Sequence, residues 1–273
     1  MDADRDPLDI FALAQAALAA TTIDEKLARS DAAAQAIATA GEFASGGITP
    51  PHAITQPGRP AKPTLVAPRA LPQRGLGSAE GRAALVHAVA HIEFNAIDLA
   101  WDAIYRFRGM PFAYYRDWAS VAADETRHFR MLQTRLAEFG HAYGDFDAHN
   151  GLWEMAVKTA DSCLERMALV PRVLEARGLD VTPGMIARLR QVGDTDTVDI
   201  LEVILREEVA HVAAGSRWFA WCCARDSIDP EATFSRLIAL HAGSLKPPFN
   251  ESARRAAGFS AAELERLTTR TAA

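Results

Sequence analysis

Apolar positions recur every three or four residues along most of this chain, and the places where that rhythm fails divide it into segments. Residues 8–42 read as two short helices. The second begins at "TIDE", where Thr22 and Glu25 have the spacing of a capping box before an alanine-rich run. From Gly46 to Gly77 the rhythm disappears into "GGITPPHAITQPGRPAKPTLVAPRALPQRGLG", with seven prolines. Proline fixes φ and removes a donor, so this stretch is extended or irregular. We expect it to be ordered along the main domain, with Leu65, Val66 and Leu71 as its apolar anchors.

Beyond it the pattern is helical: 79–108, then 112–139 after the breaker "RGMP", then 152–192, then about 195–225. The third stretch is interrupted near "GLDVTPG", where Thr182 and Pro183 read as an N-cap and first helical position. Shorter helices follow at 230–242 and 260–270, flanking the irregular "SLKPPFNE". Four long amphipathic helices without a strand signal predict an all-α four-helix bundle over 79–226. An N-terminal helical extension (1–45), a Pro/Gly-rich segment (46–78) beside the bundle and a C-terminal helical extension (227–273) complete the organisation.

Composition narrows the classes modestly. The 273 residues carry a formal net charge of −6, which gives no general reason to expect a polyanion partner. The three cysteines, Cys163, Cys222 and Cys223, lack the number and spacing of a disulfide framework or zinc site. The first residues are acidic where a signal peptide is basic, and no run reaches the roughly 18–20 apolar residues of a membrane span. The expected location is the cytoplasm.

The chemistry lies in "VAADETRHFRMLQTRL". Glu125 and His128 are three apart on the helix face that also carries Val121 and Leu132, so both can reach one ion. Glu208 and His211 in "REEVAHVAAG" repeat the arrangement. A third match, Glu138 and His141, straddles Gly140 at a helix end and reads as chance. Each mid-helix pair has a glutamate upstream: Glu93 precedes Glu125 by 32 positions, and Glu175 precedes Glu208 by 33. At about 1.5 Å per residue, each half folds as a hairpin that returns its two glutamates to nearly the same height. Two such hairpins would gather four carboxylates and two imidazoles, and carboxylates are too costly to bury together without a cation. Glu165 competes with Glu175 for the third-helix position.

This pattern resembles the ferritin-like superfamily of di-iron and di-manganese carboxylate proteins. The segments "PGRPAKPTLVAPR", "HAVAHIEFNAIDLAWD", "DETRHF", "ALVPRVLEARGLDVTPGM", "EEVAHV" and "KPPFN" are similar to the bacterial ferritin-like family called domain-of-unknown-function 455, over about residues 55–260. "LEARG" is also similar to the third-helix glutamate segment of the di-iron tRNA hydroxylases. The resemblance implies a fold and a metal centre of two iron ions, or manganese, on Glu93, Glu125, His128, Glu175, Glu208 and His211. It transfers no reaction.

Carboxylate-rich ligation with open coordination positions suits an oxidoreductase that activates dioxygen to oxidise or hydroxylate an organic substrate, with an external electron donor. Iron handling or peroxide scavenging, and a metal-stabilised scaffold without turnover, are the competing readings. The appended segments favour a monomer or homodimer over a ferritin shell, and an RNA substrate stays open through the hydroxylase similarity. Ala214 and Gly215, one turn past His211, would leave room for substrate. His87 and His91 are expected in supporting or surface roles, Trp101 and Tyr105 in core packing, Asp124 and Glu207 facing solvent or neighbouring arginines, and Cys222 and Cys223 in the core.

Overall fold

The computed structural model describes residues 8–41 and 51–269, and every regular element among them is helical. The chain forms two compact units, Met1–Gln73 with Ala83–Trp153, and Arg74–Arg82 with Glu154–Ala273.

In the first unit, α1 (Ile10–Ala19) and α2 (Ile23–Thr39) precede the long helices α3 (Ala79–Arg106) and α4 (Phe112–Glu138). Asp9 caps α1 through the amides of Phe11 and Ala12, and Thr22 caps α2 by accepting from Glu25 N at 3.3 Å, as the spacing predicts. Ser30 on α2 ties both long helices together: its Oγ accepts from Trp101 Nε1 at 2.8 Å and lies 2.9 Å from Thr126 Oγ1. Trp101 and Tyr105 are core residues.

Helix α3 is long and apolar enough to cross a membrane by length and composition, yet 78% of its most apolar window is buried within the protein. One of its faces is a stripe of buried polar side chains, His87, His91, Asn95, Asp98 and Asp102, spaced four or three apart. A buried polar group requires a partner, and the Pro-rich segment and the 139–150 loop supply most of them. Arg59 donates to Asn95 Oδ1 at 2.9 Å and to Asn150 Oδ1 at 2.7 Å. Arg106, paired with Asp102, also donates to the Ile54 carbonyl, and Trp153 Nε1 donates to that of Thr55. Val66 N and Ala148 N bond to the carbonyls of Ala148 and Thr64. At Gly58 an added Cβ would lie 2.4 Å from the Ala19 carbonyl oxygen, so only glycine lets the segment cross α1. The expected anchors are not the apolar ones: Leu65 is 41% exposed, while Val66 and Leu71 are half-buried. Residues 46–50 lie outside the described residues.

In the second unit the helical stretch expected over 152–192 with an interruption near "GLDVTPG" is instead divided upstream of it. Following α5 (Gly151–Lys158), the chain turns at 159–162, where Arg166 reaches back from α6 (Cys163–Leu169) to Thr159 Oγ1 and the Ala156 carbonyl. A π turn, Val170–Glu175, leads into α7 (Ala176–Gln191), which runs straight through Pro183. Proline there cannot bond to the Leu179 carbonyl, and Asn250 Nδ2 takes that carbonyl instead, at 3.1 Å. Helix α8 (Thr195–Arg225) packs antiparallel to α7. The unit closes with α9 (Pro230–His241), α10 (Glu251–Ala256) and α11 (Ala261–Thr269). The "KPPFN" segment is thereby explained: Asn250 caps α10, and Arg254 grips the buried Asp180 of α7 through two bonds of 2.9 and 2.7 Å. Cys222 and Cys223 are buried.

Candidate metal centre

Glu93 enters the core of the first unit from α3, opposite Glu125 and His128 on the antiparallel α4. Phe94 and Phe129, the neighbours of Glu93 and His128, pack with ring centroids 5.2 Å apart and hold the two helices in this register. His128 Nδ1 lies 3.0 Å from Glu93 Oε2 and 3.5 Å from Glu125 Oε2. Each of the three offers a ligand atom, and these atoms all lie within 4.8 Å of one another. All three side chains are buried.

The electrostatics of the cluster are those of closely packed buried carboxylates and an imidazole. Burial and the neighbouring Glu125 push the Glu93 carboxyl up to about 8, although His128 opposes the shift. For His128 burial works downward, but its bonds to Glu125 and Glu93 prevail and raise it to about 11. A divalent ion held here would neutralise the carboxylates and displace protons from the group. The donor set and its closeness fit such an ion.

The second unit carries the other three expected residues. Glu208 and His211 occupy one face of α8, with His211 Nδ1 3.2 Å from Glu208 Oε1; His211 is buried and Glu208 half-buried. Glu175 is half-buried at the end of the π turn. Its competitor Glu165 stands at the start of α6, 3.7 Å from His241 Nε2, in a pair about one third exposed on the Glu side.

The remaining assignments separate cleanly. Glu138 ends α4 and is paired with Arg135, and Gly140 turns the chain at φ 76°, so the third Glu-x-x-His never shares a helix face. Asp124 pairs with the exposed Arg127, and Glu207 lies near Arg206. His87 and His91 are not surface residues. His87 Nε2 accepts from Gly144 N at 2.9 Å, and His91 contacts Tyr143 and the His149 carbonyl. Burial holds both near 4, neutral at physiological pH. Gly215 does not open a substrate space either: the Pro171 ring fills it, at 2.3 Å from where a Cβ would stand.

Sequence reasoning missed the partners of the polar stripe. Asp98, one turn beyond Glu93, forms a fully buried ion pair with Lys26 of α2. The available signal was the pair of aspartates inside the apolar run "IEFNAIDLAWDAI".

Fold and cluster together define an all-α protein with a buried carboxylate–histidine group able to hold a metal ion. The chain belongs to the family described as "Protein of unknown function (DUF455)", whose model matches residues 19–265. A Haemophilus influenzae protein described as uncharacterised is 45% identical over 214 residues, covering 76% of this chain and 74% of that one. No solved structure matches.

Proposed function

We propose that this is a ferritin-like di-iron oxidoreductase of the cytoplasm, in which Glu93, Glu125 and His128 hold one half of a paired-metal centre and Glu175, Glu208 and His211 the other. The observation that carries the reading is the buried Glu93–His128–Glu125 cluster, whose sequence pattern recurs at 175–211. Four carboxylates and two imidazoles suit iron or manganese better than zinc.

Two iron ions so held would supply electrons and open coordination positions for reducing dioxygen at the expense of an organic substrate. The chain's own residues bind and orient: His128 is fixed by Glu93, His211 by Glu208. Phe94, Phe129 and Tyr143, in mutual tilted and edge-to-face contact with ring centroids 5.1–5.3 Å apart beside the first half, exclude water from it.

The test is anaerobic loading with Fe(II), metal analysis, then exposure to oxygen. We expect two metals per chain and a charge-transfer absorption that develops with oxygen. Glu125→Ala and Glu208→Ala should each abolish paired loading, whereas Glu138→Ala should not. At most one metal per chain in the unaltered protein would overturn the reading; two metals with no oxygen consumption on any substrate fraction would leave binding without the proposed turnover.

A further inference from the structure

Glu175 is held in place by an unusual piece of backbone. It ends the π turn Val170–Glu175, a conformation with poorer hydrogen bonding than the α-helix and one that persists where tertiary contacts enforce it. Two contacts within the second unit do so. On one side the Pro171 ring sits against α8 at Gly215, 2.3 Å from the position of a Cβ. The helices run antiparallel, so four residues beyond Pro171 the chain reaches Glu175, at the level of His211, four residues before Gly215.

On the other side stands Arg172, 2% exposed. Its Nη2 donates to both carboxylate oxygens of Glu263 at 2.8 Å. The faces of Phe219, Phe234 and Phe259 surround its guanidinium at 4.8, 4.1 and 4.5 Å. Glu263 is itself rigid: with Ser260 it forms a reciprocal capping box at the start of α11, with bonds of 2.9 and 3.1 Å.

We infer that Arg172 and Glu263 are positioning residues that keep this turn in its π form, so that the C-terminal helix α11 governs metal binding through Glu175. The inference rests on the metal reading of Glu175 given above. Once the clamp is released the turn relaxes toward α spacing, which rotates the residues beyond it by roughly 100° about the axis and carries Glu175 off the face it shares with His211.

The experiment uses the full chain and Mn(II), with metal per chain, Mn(II) titration by electron paramagnetic resonance, and thermal melting measured in parallel. Unaltered protein should bind two ions and Glu175→Ala one. The double variant Arg172→Met with Glu263→Met keeps the volume filled and leaves no buried lone charge; it should stay folded and bind one. Glu263→Gln, which keeps the shape but not the charge, should weaken the second ion at least threefold. Two ions bound by the folded double variant, or an unchanged titration of Glu263→Gln, would overturn the inference. Should the double variant not fold, the Glu263→Gln titration decides. Two ions retained by Glu175→Ala would overturn the metal reading of Glu175 and, with it, the role assigned to the clamp.

Discussion

Gly215→Ala isolates the contact on which the register of the second unit depends. The new methyl would lie 2.3 Å from both Cβ and Cγ of Pro171, and ordinary contact begins near 3.4 Å. The ring, tethered to its own backbone at two points, cannot swing aside, so the π turn and α8 must separate by about 1 Å. A clash this close, against two ring carbons at once, lies in the upper part of the range for overpacking, roughly 2–3 kcal/mol. Against it, alanine gains about 1 kcal/mol over glycine inside a helix. The clash prevails, leaving a net loss of about 1–2 kcal/mol. At about 2–4 °C per kcal/mol for a protein of this size, melting should fall by roughly 2–8 °C. Circular dichroism melts and urea midpoints of both proteins measure it. A variant as stable as the original, or more so, would show that Pro171 is not seated on Gly215 and would remove the register argument for Glu175.

Further outcomes follow from buried polar groups. Lys26→Met leaves Asp98 charged and buried, which should cost about 3–5 kcal/mol in denaturant titration, while the added change Asp98→Leu should recover most of it; equal losses in both would refute the ion pair's role. His87, held near 4 by burial, binds no proton where the unfolded chain takes one up below its ordinary 6.5. Its contribution is complete above pH 6.5 and is lost as pH falls toward about 4, roughly 3 kcal/mol in all. Urea midpoints from pH 7 to 4 should fall steeply in the original protein and less so in His87→Gln; parallel slopes would refute the assignment. Asn250→Ala removes the donor to the Leu179 carbonyl and the α10 cap together, and should cost about 1–3 kcal/mol in melting experiments. Asn250→Asp, which keeps only the cap, should fall between.

The legible parts of this protein were those in which neighbours in sequence are neighbours in space. Helices α3, α4 and α8 follow an unbroken 3.6-residue rhythm between clear breakers, and their bounds came within two residues of expectation. The Glu-x-x-His pairs are likewise local, since one turn of helix brings their side chains together. Gly140 marked Glu138 and His141 as a chance match for the same reason.

The third helix was misread because its shape is imposed from far along the chain. "KTADSC" contains neither glycine nor proline, yet Arg166 closes a turn there. "GLDVTPG" contains three breakers, yet α7 continues because Asn250, 71 residues past Leu179, accepts the role of the missing amide donor. The Pro-rich segment was expected to anchor by its apolar residues and instead anchors by Arg59, whose partners Asn95 and Asn150 lie 36 and 91 residues away. A hydrophobic pattern specifies which face of a helix is buried, because that depends only on residue type and period. It does not specify which distant group satisfies a buried charge or a stranded carbonyl. The sequence alone therefore determined helices α3, α4 and α8 and singled out the six candidate ligands, whereas tertiary packing decided where the chain could break its own helical rules.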